Sequence, residues 1–120
     1  MDTRNWVFDG TIWRPMLGTS AGAISTATAP AATGTRSDVA DANADTLILA
    51  ANAARRGATV YNDSTATLYL LVAAGAASAT NFTVRLTSQA YFEVPFGYTG
   101  AIRGFWDADT AGSARVTEYT

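Results

Sequence analysis

From residue 46 to residue 120 the chain alternates short runs of β-forming residues with clusters of turn-forming residues. These runs recur at spacings of about 8–12 residues, which is typical of an antiparallel β-sandwich or barrel. Alternation is clearest where Phe82, Val84 and Leu86 share one side of a strand and polar residues occupy the other. The pattern predicts an all-β domain over residues 46–120. The predicted strands are Thr46–Ala51, Thr59–Tyr61, Leu68–Val72, Asn81–Leu86, Ala90–Val94, Ala101–Trp106 and Ala114–Tyr119.

The first part of the chain carries a hairpin signal. An Asp-Gly pair at residues 9–10 stands between two runs of aromatic and β-branched residues, Trp6–Phe8 and Thr11–Trp13. Such a pair favours a two-residue turn, because both of its residues adopt positive φ readily. A two-residue turn would place Trp6 opposite Trp13, so the sequence predicts a hairpin with both indoles on one face.

Between the hairpin and the β domain, residues 17–45 consist mainly of Ala, Thr, Ser and Gly. The only large apolar side chains of this segment are Leu17, Ile24 and Val39, and they follow neither a helical nor a strand period. A segment so poor in apolar residues gains little by burying its surface. We therefore expect two parts: a hairpin with an extended low-complexity arm over residues 1–45, and a β-sandwich domain over residues 46–120.

The composition removes most kinds of catalytic chemistry. The chain has no His, no Cys and no Lys, so it lacks the usual general base, a thiolate nucleophile, a Schiff-base amine and the commonest zinc ligands. We expect a protein that is not an enzyme and that holds no cofactor and no metal. The net charge of −2 provides no attraction to nucleic acid or to an anionic membrane, so neither is an expected partner.

One acidic segment has the outline of a calcium-binding loop. The carboxylates of Asp107, Asp109 and Glu118 have a suitable spacing, with Gly112 between them. However, Ala111 stands where such a loop needs an oxygen ligand, and the flanking residues alternate like strands. We interpret the segment as a hairpin turn whose aspartates accept hydrogen bonds from backbone N–H groups.

Two sets of side chains are candidates for binding. Large apolar side chains near the start of the chain and the basic residues are suited to contact a partner protein: Trp6, Phe8, Trp13, Arg14, Leu17, Ile24, Arg55 and Arg56. Aromatic rings that crowd the C-terminal third could stack on sugars, although a sandwich also needs aromatic side chains in its core. The candidates for sugar stacking are Tyr91, Tyr98 and Trp106.

Several stretches resemble a module that recurs in virion proteins of tailed bacteriophages. The resemblance covers about residues 52–120 and is carried by AARRGATVYNDS from residue 53, YFEVPFGYTGAIRGFW from residue 91 and GSARVTEYT from residue 112. The run FDGTIWRPM from residue 8 also resembles the start of such proteins.

The resemblance implies a small structural component of the virion with a β-sandwich module and no catalytic residues. The expected function is that of a capsid decoration (cement) protein, which stabilises the head by binding across capsid subunits. The expected partners are the major capsid protein or other virion proteins, together with further copies of this chain as a homo-oligomer. The expected location is the virion, after synthesis in the host bacterial cytoplasm. The alternatives are a head–tail neck protein, a tail or fibre accessory protein, and a carbohydrate-binding module of a virion.

Overall fold

The computed structural model describes the backbone of residues 6–8 and 13–15 and the whole of residues 29–120. In these ranges the chain forms strands and one 3₁₀ turn, Pro95–Gly97. No helix in the described ranges is long and apolar enough to cross a membrane. The strands are β1 (Trp6–Phe8), β2 (Trp13–Pro15), β3 (Gly34–Ala40), β4 (Thr46–Leu49), β5 (Gly57–Asp63), β6 (Leu68–Leu71), β7 (Val84–Leu86), β8 (Tyr91–Glu93), β9 (Ile102–Trp106) and β10 (Ser113–Tyr119).

Eight of these strands form two antiparallel sheets of four strands each. The first sheet has the strand order β3-β10-β5-β8, and the second has the order β4-β9-β6-β7. Side chains from both sheets meet in one hydrophobic core, so the sheets pack face to face. The all-β sandwich predicted from the sequence is confirmed.

The core follows from the two-residue period of the strands. In β5 the side chains at 58, 60 and 62 are buried and their neighbours are partly exposed, and β10 repeats this pattern at 114 and 116. The second sheet contributes Leu68, Leu70, Ile102 and Trp106 from its inner face. Because only every second side chain is needed for the core, the side chains on the outer face of each sheet can be polar, charged or aromatic.

A buried polar contact joins the two sheets. The Asn62 amide is fully buried on β5 and donates from Nδ2 to the carbonyl oxygens of Ala66 and Leu86, at 2.8 Å and 2.9 Å. Its Oδ1 accepts a hydrogen bond of 3.3 Å from Nε1 of Trp106 on the opposite sheet. Because these polar groups are hydrogen-bonded, the cost of burying them is offset, and the contact fixes the relative position of the sheets.

Each strand predicted over residues 46–120 is present, and the largest difference lies at β7. The sequence predicts a strand from residue 81, whereas β7 begins at Val84. The Thr83 hydroxyl explains the late start, because it accepts a hydrogen bond of 2.8 Å from the N–H of Val72. The N–H of Thr83 still donates to the carbonyl of Leu70, at 2.7 Å, but the N–H of Val72 donates to a side chain instead of a backbone carbonyl.

The N-terminal hairpin forms with a different register from the predicted one. Phe8 pairs with Trp13 and Trp6 pairs with Pro15, so four residues, 9–12, separate the strands. The predicted pairing of Trp6 with Trp13 is therefore wrong. An Asp-Gly pair indicates where the chain reverses, but strands of three residues specify their register only weakly.

The first sheet also takes in part of the segment that was expected to be an arm. Strand β3, Gly34–Ala40, lies at the edge of the sheet and pairs with β10 along its whole length. The sandwich therefore starts before residue 46, the expected boundary. The strand has little apolar periodicity because most of its side chains are exposed and it is held mainly by backbone hydrogen bonds.

Candidate interaction surfaces

Arg55, a candidate for partner binding from the sequence, lies inside the protein. Its side chain is buried, and Nε donates a hydrogen bond of 2.7 Å to Oε2 of Glu118. Nη1 donates to the carbonyl oxygens of Tyr98 and Gly100, at 3.1 Å and 2.7 Å, and Nη2 donates to that of Ala50. The prediction for Arg55 is therefore wrong, because its guanidinium holds together segments of its own chain.

A local turn directs Arg55 inward. The Asn52 side chain accepts a hydrogen bond of 3.0 Å from the N–H of Ala54, and the Asn52 carbonyl accepts one of 3.0 Å from the N–H of Arg55. Asn52 also donates from Nδ2 to Oε1 of Glu118, at 3.2 Å. Both carboxylate oxygens of Glu118 are therefore engaged inside the sandwich.

This arrangement separates the carboxylates that had the spacing of a calcium loop. Glu118 pairs with Arg55, whereas Oδ1 of Asp107 accepts a hydrogen bond of 3.0 Å from the N–H of Thr67. Within residues 29–120 no group of three or more acidic side chains is placed to hold a metal ion. Asp107 therefore accepts from a backbone N–H, although the donor lies outside the predicted turn. The same interpretation for Asp109 stays a prediction.

Arg56, next to the buried arginine, is exposed. Its Nη1 donates a hydrogen bond of 3.1 Å to the carbonyl of Ala29, and its own N–H donates to the carbonyl of Tyr119, at 2.8 Å. Its contact with a partner stays a prediction. The other partner-binding candidates have side chains outside the described part of the chain: Trp6, Phe8, Trp13, Arg14, Leu17 and Ile24.

The three candidates for sugar stacking occupy different environments. Trp106 is fully buried on the inner face of β9, so its assignment to a sugar surface is wrong. Tyr98 is half-buried against the core, and its hydroxyl donates to the carbonyl of Ala101, at 3.2 Å. Tyr91 alone of the three is largely exposed, at 56%.

Tyr91 forms one wall of a groove on the outer face of the first sheet. Tyr119 forms the other wall, and Gly57 and Thr59 of β5 lie between them, with Glu93 at the side. The groove has a volume of about 270 Å³. It is open because Gly57 has no side chain, and a Cβ built there would meet no atom within 4 Å. We call this site the tyrosine groove.

Glu93 gives the tyrosine groove its charge. The Tyr91 hydroxyl donates a hydrogen bond of 3.0 Å to Oε1 of Glu93. Desolvation, this hydrogen bond and the nearby carboxylate charge together raise the pKa of Tyr91 above its usual value, so the phenol stays protonated at neutral pH. The groove therefore presents two tyrosine rings and the carboxylate of Glu93.

The remaining charges on this sheet face neutralise one another. Arg115 lies 2.6 Å from Asp63 and 3.5 Å from Asp38, and Arg36 lies 2.7 Å from Asp38. The hydrogen bond with Asp63 raises the pKa of Arg115 further. In the part of the chain that the structure describes, no Arg pairs with Glu93.

Phe96 protrudes from the turn that follows β8. Its side chain is fully exposed, and its backbone adopts φ 58° and ψ 20°, in the left-handed region. This conformation is less stable than a right-handed one by roughly 1–2 kcal/mol for a non-glycine residue. The sequence indicated only a turn at Pro95–Gly97. The signal that was missed is an aromatic residue at a position that favours Gly or Asn.

The outer face of the second sheet carries a different aromatic surface. The Tyr69 ring packs edge-on against Phe82, with ring centroids 5.0 Å apart, and lies 6.2 Å from Phe105. Leu47 on β4 is 45% exposed. We call Phe82, Tyr69 and Phe105 the aromatic row. Tyr69 packs against both of the other rings, whereas the Phe96 side chain is fully exposed.

Asp41 is a buried carboxylate between β3 and β4. Burial tends to raise its pKa, but hydrogen bonds from the Thr110 side chain, from the N–H groups of Thr110 and Gly112, and from Ser64 outweigh this effect. The pKa of Asp41 therefore lies below its usual value of 3.8. The ionised carboxylate ties the end of β3 to the loop before β10.

Together these features define a β-sandwich with an interior fixed by polar contacts and with exposed aromatic side chains on its surface. A scan against models of protein families, a search of curated proteins and a search of solved structures each found no match for this chain. The resemblance to virion proteins of tailed bacteriophages stays a prediction from the sequence.

Proposed function

We propose that this chain is a structural protein of tailed-bacteriophage virions, and that it acts as a capsid decoration protein by binding across capsid subunits. The proposal joins the resemblance in sequence to one structural observation, the exposed tip at Phe96. The major capsid protein is the proposed partner, and further copies of the chain are a second one.

Phe96 supports a binding role because its backbone conformation is energetically unfavourable and its ring is not buried by any of the described residues. The residue combines a strained backbone with full exposure of an aromatic ring. Strained, exposed residues cluster at functional sites, and aromatic side chains dominate the energetics of protein interfaces. Insertion of the ring into an apolar pocket of a partner would recover the cost.

The tip, which is the turn Pro95–Gly97, lies at the end of the sandwich where the chain enters the first sheet. The N–H of Ala32 donates to the carbonyl of Thr120, at 2.8 Å, and Arg56 contacts Ala29. A Cβ on Gly97, next to the tip, would lie 3.5 Å from the carbonyl of Arg56. Because residues 29–32 and the tip gather around Arg56, a partner seated on this end would contact both.

The experiment uses purified heads of the phage that encodes this chain, stripped of the chain. The added protein is expected to co-sediment with the heads and to raise the temperature at which they open. Phe96→Ala should weaken co-sedimentation at least about tenfold, as expected for a residue at the centre of an interface. The matched control is Phe82→Ala, which removes the same kind of ring from the aromatic row on the outer face of the second sheet.

Two outcomes would contradict the proposal. The first is no binding of the unaltered protein to heads at any accessible concentration. The second is a larger loss of binding for Phe82→Ala than for Phe96→Ala, which would place the contact on the aromatic row.

Parallel sedimentation with isolated tails and necks tests the alternative positions of the protein on the virion. Light scattering measures self-association.

A carbohydrate-binding module is the second candidate function, and the exposed Tyr91 ring favours it. Tyrosine rings with a neighbouring carboxylate can stack on a sugar and accept hydrogen bonds from its hydroxyl groups. Titration with oligosaccharides of the host cell surface tests it. Saturable binding that Tyr91→Ala abolishes would support this function in place of decoration.

A further inference from the structure

The tyrosine groove has an unmatched charge on a sheet face where the other charges are matched. Across the outer face of the first sheet, two Asp and two Arg side chains form a continuous chain of ion pairs. In the described residues Glu93 takes part in none of these pairs, and only the neutral Tyr91 hydroxyl donates to it. A carboxylate beside two aromatic rings attracts a cation.

Both a sugar and a cation could lie against tyrosine rings. The negative charge of Glu93 decides which of these two ligands fits the groove better. A neutral sugar could donate hydrogen bonds to the Glu93 carboxylate but would leave its charge uncompensated. A cationic side chain would satisfy the carboxylate and would also be attracted to the faces of Tyr91 and Tyr119. Gly57 leaves room for it between these rings. The charge therefore favours a cation.

We infer that the tyrosine groove binds an arginine side chain of the protein on which this chain docks, an inference that rests on the proposed function for the identity of that partner. Arginine suits the groove better than lysine, because its planar guanidinium can stack on a ring and donate two parallel hydrogen bonds to one carboxylate. Oε1 of Glu93 accepts from Tyr91 and Oε2 lies next to it, so the carboxylate retains acceptor capacity.

The first experiment isolates the chemistry of the groove from any partner. The protein is titrated with N-acetyl-arginine amide, and the backbone N–H signals of Gly57 and Tyr119 are followed by NMR. The probe for comparison is N-acetyl-citrulline amide, which has the same shape but no charge. We expect tighter binding of arginine than of citrulline by about three- to tenfold. Equal binding of the two, or binding of glucose oligomers in preference to both, would overturn the inference.

A pair of charge-matched variants tests the role of Glu93. Glu93→Gln keeps the shape of the side chain and should abolish the preference for arginine over citrulline. Asp109→Asn removes the same charge from an exposed loop and should leave the preference intact. An equal loss in both variants would mean that net charge, rather than the groove, attracts the probe. That result would contradict the inference.

Sedimentation with phage heads then separates the inference from the proposed function. If heads bind the unaltered protein and Glu93→Gln weakens this binding by about three- to tenfold, the inference and the proposed function are both supported. If heads bind both forms equally, the arginine does not come from the head partner, and the inference fails while the function stands. If heads bind neither form but the groove still prefers arginine, the proposed function fails and the cation preference of the groove survives.

Discussion

Two neighbouring parts of this sandwich differ in how their charges are satisfied: the Arg55 cluster, formed by Arg55, Asn52 and Glu118, and the tyrosine groove. Glu118 and Tyr119 are consecutive residues of β10, one directed into the Arg55 cluster and the other into the groove. Inside, each nitrogen of the Arg55 guanidinium donates to at least one acceptor. Outside, Glu93 has no cation in the described residues. Alternation along a single strand thus divides side chains that fix the fold from side chains that remain available for a partner.

Replacing the two adjacent arginines in turn gives the largest expected difference between the buried cluster and the surface. Arg55→Met should lower the free energy of unfolding by about 3–5 kcal/mol, because Glu118 is then left largely buried without its cation. Arg56→Met should change it by less than about 0.5 kcal/mol, since its side chain is exposed. Urea denaturation measures both values. Similar losses for the two variants would refute the division between interior and surface.

Adding one methyl group at a buried glycine and at a surface glycine tests the difference between the core and the tyrosine groove. A Cβ on Gly104 would lie 2.7 Å from Cδ1 of Leu68 and 3.0 Å from Cδ1 of Ile48, both in the core. Gly104→Ala should therefore cost about 1–3 kcal/mol of stability through overpacking. Gly57→Ala meets no atom and should leave thermal unfolding almost unchanged, but its methyl group narrows the tyrosine groove. A stable Gly57→Ala variant with undiminished binding of arginine would contradict the assigned floor of the groove.

Phe96 offers a smaller effect on stability with the opposite sign. Phe96→Gly relieves the left-handed strain, and the greater freedom of Gly in the unfolded chain offsets part of this gain. We expect the free energy of unfolding to stay the same or to rise by up to about 1 kcal/mol, while binding to heads is lost. Thermal unfolding and sedimentation are measured on the same sample. A clearly destabilised variant would show that the ring supports the fold rather than a partner.

The smallest expected effect comes from pH. Because the pKa of Asp41 is lowered in the folded protein, the unfolded chain binds its proton more readily. The stability that Asp41 contributes is therefore complete above pH 3.8, its usual pKa, and is lost as the pH falls through the lower folded value. Denaturation curves between neutral pH and strong acid should show a shallower decline for Asp41→Asn. A parallel decline in both proteins would exclude this carboxylate as the cause.

The sequence revealed the strands of the sandwich wherever a strand has a buried face. Residues 57–63 alternate strictly between buried and partly exposed side chains, and residues 113–116 begin β10 in the same way. Both strands were found to within two residues at each end. Strand β3 was missed because its stability depends on hydrogen bonds to β10, and backbone groups leave no trace in the pattern of side chains. Val39, the half-buried residue of this strand, was too weak a signal on its own.

The candidate sites were harder to predict, because burial depends on contacts between distant parts of the chain. Arg55 is buried through its pairing with Glu118, 63 residues away, and Trp106 is buried through its place on the inner face of β9. The sequence singled out Tyr91 but missed Tyr119 as its partner. They face one groove because β8 and β10 both pair with β5, and a topology of this kind cannot be read from local spacing.

The edge position of β3 has a mechanical consequence. The residues before β3 meet the sheet first at Ala32 and Thr33, which donate to the carbonyl of Thr120 at 2.8 Å and 3.0 Å. Tension that pulls this part of the chain away from the sheet loads these bonds and then the β3–β10 bonds one after another, as in a zipper. Peeling seven strand residues releases about 23 Å of chain before the load reaches the anchored carboxylate of Asp41. A tether on this side would lengthen under load while the core stays folded.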